Sequence, residues 1–173
     1  MLIEKMTKDE CLAFVRRMKF GRIACVREKQ PYVVPIYFMP DDHYLYGFSA
    51  PGRKIDWMRA NPLVCVEVDE VIDHSHWKTV VINGKYEELS DAPDHIGIRE
   101  YALELLQRRA MWWQPASVKT QASASGPIFF RIRIDEISGH RARPDTIEEG
   151  AFRPHIESPS HPRIIERVRR ILG

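Results

Sequence analysis

Five runs rich in β-branched and aromatic residues follow one another between Arg22 and Leu89, and this succession limits the fold more than any other feature of the chain. The runs are RIACVR (22–27), PYVVPIYFM (31–39), YLYGF (44–48), LVCVEVDEV (63–71) and WKTVVINGKYEEL (77–89), a composition that fits strands. EKQ (28–30) and PDDH (40–43) are too short for a crossover, so the runs they join must pair antiparallel. A sixth run, IFFRIRIDEI (128–137), turns Ile132, Ile134 and Ile137 inward and leaves Arg131, Arg133 and Asp135 more exposed. Six strands with short helical insertions predict a mainly β (α+β) fold, a six-stranded antiparallel barrel whose closure removes the unpaired edges of an open sheet.

Three insertions carry helical periodicity. Thr7 followed by Glu10 has the spacing of a capping box, and Cys11, Phe14, Val15 and Met18 recur behind it until Gly21. Within SAPGRKIDWMRANP (49–62), Ile55 and Met58 lie three apart between an opening Pro-Gly and a closing Asn-Pro, which predicts a loop and a helix of two or three turns. Asp94 to Arg109 places Ile98, Tyr101, Ala102, Leu105 and Leu106 on one stripe, followed by a linker over 112–127. Residues 1–143 are expected to form one domain. The segment 144–173 reads as a Pro-rich tail ending in a short basic amphipathic helix, with Ile164, Ile165, Val168, Ile171 and Leu172 beside Arg163, Arg167, Arg169 and Arg170. That helix is expected to pack on its own barrel or on a second subunit rather than to act as a nucleic-acid arm.

Composition excludes several classes. A length of 173 residues suits one domain with its own core, and 44% hydrophobic with 29% charged residues is ordinary for a globular chain. A net charge of +2 is too balanced to mark a nucleic-acid binder. No apolar run approaches the ~20 residues of a membrane helix, and the N-terminus lacks a signal-peptide pattern. Cys11, Cys25 and Cys65 are odd in number and widely spaced, which predicts reduced thiols packed as small core residues in a cytoplasmic protein.

Chemistry concentrates at Ser49-Ala50-Pro51-Gly52-Arg53-Lys54, where a turn leads straight into a helix. Cations in a first helical turn oppose the helix dipole, at about 0.3–1 kcal/mol each. A bound anion reverses that sign: free amides, the Ser49 hydroxyl and two cations then converge on a phosphate-sized space. The competing reading is a solvated basic turn. Tyr44, Tyr46 and Phe48 precede the turn and Trp77, Trp112 and Trp113 follow it, either as core or as walls of a cofactor site. His74 and His76 are two apart with no accompanying ligand set, so no metal site is expected and they read as loop residues.

The order of FGRIACV (20–26), PYVVPIYF (31–38), LYGFSAPGRKIDWMRANPLVCVEVDE (45–70), WKTVVINGKYEEL (77–89) and IFFRIRIDEISGHRA (128–142) resembles the pyridoxamine 5′-phosphate oxidase-like, FMN-binding split-barrel superfamily. It is most similar to the flavin-nucleotide-binding group related to nitroimidazole reductases. The resemblance covers residues 1–142 and implies a homodimer with FMN in two clefts at the subunit interface. It implies that Val33, Val34, Pro35 and Ile36 line the isoalloxazine, partly through backbone groups, and that Phe48 and Ser49 meet the ring edge or ribityl chain. Arg53 and Lys54 fall where the family grips the phosphate, Trp77 and Thr79 complete the site, and Arg141 makes a contact from the second subunit. His74 or His76 falls near the position of a flavin-side histidine in the nitroimidazole-reductase relatives. The Arg- and Pro-containing C-terminal motif of true pyridoxamine phosphate oxidases has no counterpart in VRRILG (168–173), which argues against that substrate. The expected function is therefore hydride transfer between flavin N5 and a small organic substrate, the flavin carrying the hard chemistry. Its alternatives are a non-catalytic flavin- or haem-binding protein of the same fold, and an interaction module recruiting an acidic partner through the basic tail.

Overall fold

A computed structural model describes residues 1–108 and 126–144. Most of the linker, Trp112, Trp113 and the tail helix lie outside the described residues. In chain order the elements are β1 (Leu2–Lys5), α1 (Lys8–Met18), β2 (Phe20–Arg27), β3 (Gln30–Tyr37), β4 (Met39–Pro40), β5 (Tyr44–Ser49), α2 (Arg53–Ala60), β6 (Leu63–Asp73), β7 (His76–Leu89), α3 (Ile96–Gln107) and β8 (Ile128–Arg143).

The expected capping box forms. The Glu10 N–H donates to Thr7 Oγ1, and the Thr7 N–H donates to Glu10 Oε2 at 2.8 Å. It starts α1, which buries Cys11, Phe14 and Val15 and ends at Lys19 in the left-handed region.

Every strand pairing is antiparallel, in the order β3-β2-β6-β7-β8-β5-β4, with β1 added to β8 beside that path. Two corrections to the sequence reading follow. Among the described residues the strands number eight, not six, because β1 has four residues and β4 two, too few to display a period. The hydrogen-bonded path is also not closed, since it ends at β3 and β4. A single residue, Phe38, joins those ends; its ring is buried and its N–H donates to the Lys19 carbonyl at 3.2 Å. The sheet thus curls around a core without pairing its last two strands.

Ile23, Val66, Val68, Val80, Ile82 and Ile132 point inward and are fully buried, and α1 and α2 add Phe14, Val15, Ile55 and Met58. A second cluster of Tyr46, Leu89 and Ala102 lies under α3. β8 continues to Arg143, six residues past the expected end, because SGHRA has no apolar alternation to announce it. Gly139 makes the extension possible: a Cβ there would lie 2.8 Å from Cys11 Sγ and 3.0 Å from the Thr79 carbonyl. This close approach seats α1 against β8, and the expected burial of Cys11 follows from it.

Candidate functional site

α2 is held in place by Ile55 and Met58, one helical step of three apart and both fully buried. Its N-cap residue is Gly52, no side chain caps it, and its first-turn bond runs from the Asp56 N–H to the Gly52 carbonyl. The amides of Arg53, Lys54 and Ile55 therefore precede the helical ladder. Ser49 does not cap the helix either, because its hydroxyl donates to the Ala50 carbonyl at 3.0 Å. A Cβ built on Gly52 would meet no atom within 4 Å, so the space before the helix is open.

Arg53 and Lys54 are consecutive and so project about 100° apart around the helix axis. Arg53 is exposed, with its guanidinium carbon 5.5 Å from the Tyr32 ring centroid, and Tyr32 itself packs on Trp57 with centroids 5.4 Å apart. Lys54 is half-buried beside Cys25. Burial pushes its ammonium below the ordinary lysine range, and the Cys25 thiol opposes this only in part. Among the described residues no carboxylate pairs with it. A half-buried, unpaired cation at the positive end of a helix is a costly arrangement that an anion would relieve. The donor set fits a phosphate group.

The other expected site residues divide by position. Val33 and Pro35 point outward from β3, whereas Val34 and Ile36 point toward the core, so the four side chains cannot share one surface. Among the described residues β3 pairs only with β2, so the backbone of its other edge has no strand partner. Phe48 and Ser49 likewise alternate: Phe48 lies 6.1 Å from Phe129, and Ser49 falls opposite Ile128, beside the start of α2.

Trp77 and Thr79 lie at the opposite end of the sheet on its outer face, whereas Arg141, opposite Lys78, projects from the other face of the same end. Thr79 Oγ1 donates to Glu67 Oε1 at 3.3 Å. Arg141 is committed to Glu4 Oε2 at 2.8 Å and Glu10 Oε1 at 2.7 Å, and so ties β8 to β1 and α1. Within one chain the expected residues thus separate to two ends of the sheet, Phe48, Ser49, Arg53 and Lys54 at one and Trp77 and Thr79 at the other, while Arg141 joins neither group, because it sits on the opposite face from Trp77 and Thr79. His76 opens β7 with its Nδ1 2.9 Å from Asp73 Oδ2, and His74 is exposed in the turn before it.

Sequence reasoning passed over Tyr32 and Trp57. The spacing of Arg53 and Trp57, four apart and hence on one helical face, is the signal that points to them.

Comparison with known proteins agrees with this architecture. The model of the pyridoxamine 5′-phosphate oxidase family matches residues 7–141. An uncharacterized protein of Rhizobium meliloti (strain 1021) is 38% identical over 146 residues, covering 82% of this chain and 97% of the relative. The crystal structure of a FAD-binding protein from Mesorhizobium loti is 42% identical with a TM-score of 0.70, covering 82% of this chain and 99% of that one. The structure of a FAD and heme binding protein from Mycobacterium smegmatis shares the fold, with a TM-score of 0.60 at 16% identity, over 95% of this chain and 96% of that one. With a matching family model over most of its length, two relatives near 40% identity and a curled antiparallel sheet, this chain belongs to the pyridoxamine 5′-phosphate oxidase-like split-barrel superfamily.

Proposed function

We propose that this chain binds a flavin nucleotide, with FMN as the ligand its site is built for, and serves as an oxidoreductase acting on a small organic substrate. The observation that carries the reading is Lys54: a half-buried ammonium at the N-terminus of α2, without a carboxylate partner among the described residues. In this reading Lys54 and the free amides of α2 take the phosphate, and Arg53 adds a second cation from the exposed side. The open edge of β3 at Val33–Ile36 presents backbone groups to the ring system. Bound flavin supplies the hydride chemistry at N5, and the protein's task is to hold, orient and shield it.

A second copy of the chain belongs to the proposal. The two groups of site residues lie at two ends of one sheet, and a shared cleft would bring Arg53 and Lys54 of one copy to Trp77 and Thr79 of the other. The outer face supports this arrangement, because it exposes Val33 (57%) and Val71 (67%) together with Phe20, Leu63 and Tyr37, apolar side chains that a partner copy would cover.

FAD is the second reading, favoured by the 42% identical FAD-binding protein of Mesorhizobium loti. One experiment separates the two: denature the purified protein, release its cofactor and identify it by mass. FMN is expected, FAD would replace it as the ligand, and a protein that neither carries nor takes up any flavin would refute both.

A further inference from the structure

We infer that Glu88, in β7, is a positioning residue for the flavin phosphate, because it holds Arg59 at the far end of α2 and so aims the helix's N-terminal turn. The inference rests on the reading of Lys54 and Arg53 as phosphate ligands. It concerns three residues, Arg59, Tyr86 and Glu88, that no sequence motif singled out.

α2 needs an external hold. It has only eight residues, far below the length at which an isolated helix persists in water. Its first turn carries two cations against its own dipole and no side chain caps it. Ile55 and Met58 decide which face turns inward, Trp57 packs on Tyr32 beside them, and Asn61 Nδ2 just past the helix donates to the Val26 carbonyl at 3.1 Å, but none of these is a charged, two-point contact that fixes direction. Arg59 supplies that directional attachment.

The attachment is stronger than an ordinary surface ion pair. Arg59 donates twice to Glu88, from Nε to Oε2 and from Nη2 to Oε1, both at 2.7 Å. The Tyr86 hydroxyl donates to Glu88 Oε2 at 2.9 Å from a side chain only 5% exposed. The Tyr86 N–H also donates to the Pro62 carbonyl at 2.8 Å, which anchors the chain just beyond α2 to the same strand. A forked guanidinium–carboxylate pair fixes direction as well as distance. Asp56 lies 3.9 Å from Arg59 and is the only other carboxylate paired with it among the described residues. Arg59 also sits in the last turn of α2, where a cation suits the dipole. The hold therefore grips the end of the helix that tolerates positive charge and leaves the other end exposed to the ligand.

A residue that acts by aiming Lys54 should matter only while Lys54 is present and only for ligands that carry phosphate. The test titrates FMN and riboflavin into the apo full-length protein as wild type, Glu88→Gln, Lys54→Ala and the double variant, with thermal melting of each. Glu88→Gln keeps the side-chain volume and the Tyr86 hydrogen bond. It should weaken FMN about five- to tenfold and riboflavin less than about twofold, and in the Lys54→Ala background it should cost FMN almost nothing further, a coupling of the size seen between groups in one network. Tyr86→Phe removes a single hydrogen bond and should shift the FMN-to-riboflavin ratio in the same direction by less, which provides the answer if Glu88→Gln folds poorly. Equal losses for both flavins, an unchanged FMN affinity, or losses that simply add in the double variant would each overturn the positioning role. The underlying reading fails separately: if Lys54→Ala leaves the ratio of FMN to riboflavin affinity unchanged, the phosphate lies elsewhere and the role of Glu88 falls with it.

Discussion

Lys54 is placed at a cost to the free protein, and that cost is measurable. The ammonium is half-buried, unpaired among the described residues and at the unfavourable end of a helix dipole. Replacing it with Met keeps the length of the side chain and removes the charge. Lys54→Met should therefore raise the melting temperature of the apo protein, by a stability gain of about 0.5–1 kcal/mol, while weakening FMN about tenfold or more and riboflavin little. A lower melting temperature would mean that the ammonium has a stabilising role in the fold. The pH dependence has a definite sign. The folded-state pKa of Lys54 lies below its ordinary value of 10.5, so between the two the unfolded chain binds more protons and apo stability rises with pH. A phosphate beside the ammonium raises its pKa again, so FMN binding in the alkaline window just below 10.5 should take up protons. Calorimetry in buffers of different ionisation enthalpy reads that uptake directly, and Lys54→Met should abolish it.

At the scale of elements, the β2–β3 hairpin shows how a tight turn can be made from unsuitable residues. Glu28 and Lys29 form its two-residue loop at φ 51° and 67°, both in the left-handed region that suits the twist of a hairpin but disfavours side chains other than Gly and Asn. The paired change Glu28→Asn and Lys29→Gly should relieve this and stabilise the protein by about 1 kcal/mol. Chemical denaturation checks it through a higher midpoint at unchanged slope. Because β3 offers its free edge to the proposed ligand, a stiffer turn that leaves flavin affinity unaltered would also show that the hairpin is rigid enough already. α2 stands at the other extreme: its local signals are poor, and neighbouring strands hold it.

For the whole molecule the proposal implies a site shared between copies. Two chains of 20.2 kDa each should sediment together as a dimer burying more than about 1,000 Å². A mixing experiment gives a sharper answer. Lys54→Ala damages one group of site residues and Trp77→Ala the other, so each homodimer has two defective sites. If the groups meet across subunits, a mixed dimer contains one intact site, and random exchange should restore about a quarter of all sites to wild-type FMN affinity, as two-fold symmetry requires. No recovery after verified exchange would place each site within a single chain.

Much of this protein is set by local pattern. Thr7 and Glu10 suffice to start α1, because both partners of a capping box lie within one turn. The β-branched residues of IACV (23–26) and LVCVEV (63–68) identify strands, since such side chains suit a pleated, packed surface, and the alternation of IFFRIRIDEI (128–137) adds which face is buried. The Gly-Arg-Lys turn is where the sequence leads one to expect an anion, because a helix dipole and adjacent cations are properties of neighbouring residues. What the chain could not disclose by itself depends on residues far apart in sequence. β1 and β4 exist only because a long neighbour offers them hydrogen bonds. Arg141 is committed to Glu4 and Glu10, more than 130 residues away, and the burial of Lys54 beside Cys25 follows from the seating of α2 against β2. The separation of Lys54 from Trp77 to two ends of one sheet is likewise a matter of register and strand order. Periodicity reports which face of an element is buried; only the tertiary structure decides what that face meets.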